Sequence, residues 1–114
     1  MKHLTLSAVW MIAVAHICVT AHAEEVATAA SSTLAEEGRR IYAGQCSRCH
    51  GYHMINEGLV GFDLRKFPKD DHERFVNSVS RGKQPRMPPW GDVLSGNDIE
   101  ALWAYIRTGG GDAP

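Results

Sequence analysis

The chain has 114 residues, which sets a single domain as the prior. Twelve Lys and Arg face thirteen Asp and Glu, so the basic excess expected of a nucleic-acid binder is missing. A hydrophobic content of 44% argues against a disordered tail, eleven Gly against only five Pro exclude collagen-like and Pro-rich readings, and three Cys are too few for a disulfide scaffold.

The chain opens with Met1-Lys2-His3, continues through an apolar run from Leu4 to Val19, and reaches Ala21-His22-Ala23. A basic head, an apolar middle and an A-x-A site predict a secretory signal peptide over 1–23, cleaved after Ala23, and hence a periplasmic protein. The rival is a membrane anchor. Thr5, Ser7 and His16 interrupt the run, which falls short of the roughly 20 apolar residues a span needs. Cys18 follows Ala15-His16-Ile17 rather than the small residues of a lipid-attachment site. Cleavage leaves 91 residues, with 11 basic against 13 acidic side chains and two cysteines, Cys46 and Cys49. A domain of that size has a limited core and needs a staple. A disulfide between near neighbours closes too short a loop to serve, whereas a large apolar cofactor would complete the core.

Residues 24–32 are small and polar without an apolar period and read as a flexible leader. Thr33 and Glu36 have capping-box spacing and predict a helix from Thr33 to about Gln45, with Leu34, Ile41 and Tyr42 on one face and Gly38 beside them. Residues 51–69, with Gly51, Gly58, Gly61 and Pro68, read as loop. Asp70 and Glu73 predict a second helix start, Phe75, Val76 and Val79 its apolar stripe, and Gly82 its C-cap. Three prolines make 83–94 a loop. Ser95 and Asp98 open a last helix whose buried stripe is Ile99, Leu102, Trp103 and Ile106 and which Gly109 ends, leaving 110–114 as a tail. The expected class is all-α, with three helices joined by irregular loops. Loops that long are out of place in a compact domain unless something inside organises them.

Cys46-Ser47-Arg48-Cys49-His50 is C-x-x-C-H, the c-type haem attachment motif. Two thiols three positions apart on a helical turn face one side and can add to two vinyl groups of a porphyrin, and His50 then reaches the iron. A thioredoxin-type redox pair would need a βαβ pattern, which the sequence lacks. A zinc site needs about four ligands, and the mature chain offers only His53 and His72 beyond the motif. The second axial ligand has three readings. Met87, in Arg86-Met87-Pro88-Pro89, precedes a proline that holds the chain extended and so can present a thioether rigidly. His72 lies at a helix start, where it can equally be solvated. The third reading is an open position. Met54 and His53 are too close to His50 in sequence to cross to its far side.

Gly38-Arg39-Arg40-Ile41-Tyr42 resembles the first helix of the class I cytochrome c family, and Leu102-Trp103-Ala104-Tyr105 resembles the last, where the two make a mutual contact. Together with Cys46–His50 and Met87-Pro88, the resemblance covers roughly residues 33–109. It implies the cytochrome c fold wrapped around one covalent haem c, with Cys46 and Cys49 as attachment points and His50 and Met87 as axial ligands. It also implies that Leu64 packs on the haem and that Trp90 lies near a propionate, although an ordinary core role fits Trp90 as well. The family commonly has proline where this chain has Phe62, and that residue's carbonyl accepts the hydrogen bond from Nδ1 of the proximal imidazole. The carbonyl survives here, but the ring that stiffens it does not. The run from Met87 to Ser95 and the helix after it are similar to small cytochromes that serve pyrroloquinoline-quinone (PQQ)-dependent alcohol dehydrogenases.

The function implied is a monomeric one-electron carrier rather than an enzyme. Its donor would be such a dehydrogenase and its acceptor an oxidase or another cytochrome, with no nucleic-acid partner and no stable membrane insertion once the signal is removed. Two alternatives stand beside it: a haem subunit held permanently in a larger oxidoreductase, and an enzyme or gas sensor with an open iron position. Arg48, Arg81, Lys83 and Arg86 neighbour the ligands in sequence. They read either as a basic rim for an acidic partner or as solvated charges.

Overall fold

The computed structural model of the protein describes residues 5–58 and 62–111, with side chains from Glu24 onward. Its helices are α1 (Thr5–Gln45), α2 (Ser47–His50), α3 (His72–Arg81) and α4 (Gly96–Thr108), with 3-10 turns at Tyr52–Met54 and Leu64–Lys66. Among the described residues there is no strand, only an isolated antiparallel bridge between Lys83 and Met87, and the fold is all-α. Also among them, no helix is long and apolar enough to cross a membrane. The chain divides into two compact units, 1–31 and 32–114. Residues 1–4 of the expected signal, 59–61 of the expected loop and 112–114 of the expected tail lie outside the described residues.

Residues 24–32, expected as a flexible leader, are helical, and nearly all are exposed. Helix α1 runs without a break through Thr33, which is therefore an interior residue rather than a cap. Ala27, Ala29 and Ala30 are the strongest helix formers, and they carry the helix past a site where a cap was available. The buried face of this helix is Ala35, Gly38 and Tyr42, at helical spacing, while Leu34 is 42% exposed. The reason is close approach. A Cβ at Gly38 would lie 1.9 Å from the Ala101 carbonyl oxygen, so α1 meets α4 backbone to backbone on small residues. Beside that contact the Tyr42 and Tyr105 rings pack 5.4 Å apart.

Helix α3 starts one residue later than the spacing suggested. Asp71, not Asp70, is its N-cap, accepting from the Arg74 N–H at 3.2 Å. Phe75, Ser78 and Val79 form its buried side, and Gly82 ends it at φ 68°. Helix α4 has the full capping box: Ser95 Oγ accepts from the Asp98 N–H, and Asp98 Oδ2 accepts from the Ser95 N–H. Hydrogen bonds from Ser95 hold the Asp98 carboxyl below its usual pKa. Gly109 closes the helix in the left-handed conformation at φ 74°. Trp103 packs against Phe75 at 5.2 Å and edge-on to Phe67 at 6.3 Å. These rings join Tyr42, Met54, Val79, Ile99, Leu102, Tyr105 and Ile106 in one core.

Candidate metal centre

Helix α2 is a single turn, and it contains the C-x-x-C-H motif. Cys46 is its N-cap, and its carbonyl accepts from the Cys49 and His50 N–H groups at 3.1 and 2.9 Å. The Cys46 N–H itself donates to the Tyr42 carbonyl at 2.9 Å, so the motif continues directly from α1. Cys46 and Cys49 are not joined in a disulfide; Cys46 is half-buried and Cys49 exposed. Burial pushes the Cys46 thiol up to about 11, with a smaller contribution from Cys49.

His50 closes the turn. Its Nδ1 lies 2.9 Å from the Phe62 carbonyl oxygen. A carbonyl only accepts, so Nδ1 carries a proton, and in the neutral imidazole Nε2 is then the nitrogen whose lone pair can meet a metal. The phenyl ring of Phe62 lies 5.7 Å from the imidazole, centroid to centroid. The interaction that the family makes through a proline carbonyl is thus made here through a phenylalanine.

The chain beyond His50 is sharply bent. Gly51 has φ 82°, and a Cβ there would sit 1.8 Å from the Ile55 carbonyl oxygen. His53 and Met54 follow at φ 51° and 66°, a conformation costing of order 1–3 kcal/mol per ordinary residue. Three contacts hold it. Met54 is fully buried, the Tyr42 hydroxyl donates to the Gly51 carbonyl at 2.7 Å, and His53 Nδ1 meets the Gly110 carbonyl at 3.2 Å. None of these three long-range contacts has a local signature in the sequence.

Met87 lies in the loop between α3 and α4. It exchanges backbone hydrogen bonds with Lys83, Lys83 N–H to Met87 O at 2.8 Å and Met87 N–H to Lys83 O at 2.9 Å. Gly82 makes room for it, since a Cβ there would fall 2.4 Å from the Met87 carbonyl oxygen. The structure packs Cys46, Leu64, Met87 and Trp90 against the same core, all partly buried. It takes His72 elsewhere: Nε2 faces the Glu100 carboxylate at 2.9 and 3.0 Å, tying α3 to α4 at the surface. Arg48, Arg81, Lys83 and Arg86 are all exposed. Among the described residues no three His, Cys, Asp or Glu converge as a metal cluster, so a zinc site has no donor set there. Two thiols on one turn, an imidazole with Nε2 available and a thioether in the same apolar cluster fit a covalently attached haem.

A family model described as "Cytochrome C oxidase, cbb3-type, subunit III" matches residues 33–106. The chain is 36% identical to cytochrome c6 of Microcystis aeruginosa over 74 residues, 61% of this chain and 90% of that protein. It is 32% identical to the quinohemoprotein alcohol dehydrogenase ADH-IIG of Pseudomonas putida, over 62% of this chain and only 10% of the enzyme. It is 33% identical to the cbb3-type cytochrome c oxidase subunit FixP of Azorhizobium caulinodans, over 68% of this chain and 28% of that subunit. The chain therefore spans small parts of the two larger relatives and nearly all of the small one. No solved structure matches at comparable stringency.

Proposed function

The chain belongs to the class I c-type cytochromes, monohaem electron carriers with one haem c, and we propose that it is a periplasmic carrier in which Cys46 and Cys49 hold the haem while His50 and Met87 ligate the iron. The observation that carries this reading is the His50 imidazole, whose Nδ1 proton is committed to the Phe62 carbonyl. That bond fixes both tautomer and ring orientation and raises the basicity of Nε2. A haem held there would supply a one-electron Fe(II)/Fe(III) couple, and the Met87 thioether as a ligand would raise its potential relative to two imidazoles.

The residues around the site keep the ligands still. The backbone bonds between Met87 and Lys83 hold the loop that carries the thioether. Leu64 and Trp90 add apolar cover from their places against the core. With His50 and Met87 both as ligands, a bound haem would offer no open position to a substrate, and its chemistry would be electron transfer rather than catalysis. The Gly38 contact and the Tyr42–Tyr105 pair join α1, which leads into the motif, to α4.

The donor in this reading is a quinoprotein alcohol dehydrogenase and the acceptor a terminal oxidase or a second cytochrome. Two resemblances support it: a stretch of a quinohemoprotein alcohol dehydrogenase and a subunit of a cbb3-type oxidase. Coverage of nearly the whole length of a cytochrome c6 favours a free carrier over a permanent subunit. The expected mature N-terminus is Glu24, checked by sequencing the exported protein. The ferric protein should show the weak red sulfur-to-iron band. Met87→Ala should abolish it and open the reduced iron to CO. Persistence of that band in the variant overturns the ligand assignment, and a colourless product from a host that matures c-type cytochromes overturns the whole reading.

A further inference from the structure

We propose that Asp63 and Arg65 are positioning residues for the His50 imidazole: their ion pair fixes the Phe62 carbonyl that accepts the hydrogen bond from His50 Nδ1–H, and so sets how strongly His50 donates to iron. The inference rests on His50 being the axial ligand and adds how its strength is controlled. The acceptor belongs to a residue in a 3-10 turn that lacks the ring by which a proline would stiffen its own backbone, so the direction of its carbonyl also depends on its neighbours. The next residue supplies the lock. The Asp63 side chain is 4% exposed, and its carboxylate takes three hydrogen bonds from Arg65. The Arg65 N–H and Nε donate to Oδ1 at 3.1 and 2.9 Å, and Nη2 donates to Oδ2 at 2.5 Å.

A buried carboxylate is costly, and capping the turn at Leu64–Lys66 does not account for it. Capping uses only the bond from the Arg65 N–H, which a neutral Ser or Asn would accept equally well. The other two bonds form the bidentate fork, the geometry that holds a carboxylate in one orientation. The far side of the turn is anchored as well. The Lys66 N–H donates to the Asp63 carbonyl at 3.3 Å, and Lys69 Nζ donates to the carbonyls of Leu64 at 3.3 Å and Ile106 at 2.6 Å. The Phe62 carbonyl is therefore one peptide away from a rigid unit tied to the end of α4.

A well-aimed carbonyl strengthens the Nδ1–H bond, makes Nε2 a better donor and favours Fe(III). Loosening the clamp from either end should therefore raise the midpoint potential. A purely through-space effect of charge behaves differently. Removing the anion would raise the potential, and removing its cation would lower it. The test is a redox titration of the mature holoprotein with Asp63→Ala and Arg65→Ala, together with NMR measurement of His50 Nδ1 proton exchange. The expected result is a raised potential and at least tenfold faster exchange in both variants. Shifts of opposite sign, or unchanged exchange, overturn the proposal. If Asp63→Ala does not fold, Arg65→Ala decides alone, because its side chain is 41% exposed and the two accounts give it opposite signs. Arg65→Lys keeps the charge without the fork and should also raise the potential. The underlying ligand assignment fails separately, if the ferric wild type lacks hyperfine-shifted His50 ring resonances.

Discussion

Replacing Gly38 with alanine sets two effects of known size against each other. In a helix interior the change should stabilise by about 1 kcal/mol, because alanine is the better helix former. At this position the new Cβ would lie 1.9 Å from the Ala101 carbonyl oxygen, 2.5 Å from its carbon and 3.0 Å from the Leu102 nitrogen. All three are backbone atoms of a packed helix and cannot swing aside. Restoring contact near 3.5 Å requires α1 and α4 to part by about 1.5 Å. Such overpacking costs about 1–3 kcal/mol. Parting also loosens the Tyr42–Tyr105 pair, itself worth about 0.5–1.5 kcal/mol. The clash wins, and Gly38→Ala should lose about 2 kcal/mol net, lowering Tm by on the order of 10 °C. Gly44 is the control. It lies in the same helix with nothing within 4 Å of its Cβ position, so Gly44→Ala should be neutral or gain up to about 1 kcal/mol. Urea denaturation of the two holoproteins, followed by far-UV circular dichroism, measures both. Equal stability changes of the same sign would refute the claim that the helices touch through Gly38.

Acid sensitivity should come partly from Asp63, whose carboxyl the Arg65 guanidinium holds down to about 2. A depressed folded-state pKa contributes stability that is present above the ordinary carboxylate range near ~4 and is lost as pH falls from there through about 2. Glu36, lowered by Arg39, adds in the same direction. Asp63→Asn should therefore flatten the acid limb of a stability-versus-pH curve relative to wild type, and an unchanged slope would contradict this. Lys69→Met should cost about 1–2 kcal/mol in chemical denaturation, because it leaves the Ile106 and Leu64 carbonyls without their ammonium; a denaturation midpoint equal to wild type would contradict it. If the exposed cations Arg81, Lys83 and Arg86 steer an acidic redox partner, Lys83→Glu should slow bimolecular electron transfer several-fold at low salt, and the difference should vanish at high ionic strength. Stopped-flow rates that do not respond to salt would leave these residues as solvated charges.

The parts of the fold that could be read in the sequence are those whose causes are local. Ser95 and Asp98 cap α4 through three residues, Gly109 ends it, and Ile99, Leu102, Trp103 and Ile106 are all buried as their spacing implies. The C-x-x-C-H turn is likewise contained within five residues. Local cues failed where they competed. Thr33 offered a cap, but the alanines before it kept the helix going. Asp70 and Asp71 both offered a carboxylate, and the backbone used the second. Leu34 looked apolar enough to be buried, yet the face that meets α4 had to be made of Ala35 and Gly38 because only small residues permit that approach.

What could not be read is how the segments around His50 are anchored to the rest of the fold, because two of those ties join residues far apart in the chain. Lys69 reaches Ile106, and His53 reaches Gly110. Both acceptors are carbonyls at or just beyond the end of α4. The Ile106 carbonyl, which also accepts from the Gly109 N–H, and the Gly110 carbonyl each take a side chain from one of the two segments flanking the His50 imidazole. One is the strained bend after Gly51 and the other is the turn that follows Phe62. The best-specified helix in the sequence thus serves as the anchor for the two least-specified loops. Both segments beside the imidazole are thereby tied to the C-terminal end of α4, more than 50 residues beyond His50 in the chain. Shortening the chain at Gly109 would remove the His53 acceptor while leaving the motif intact, so it should disturb the bend after Gly51 before it disturbs haem attachment.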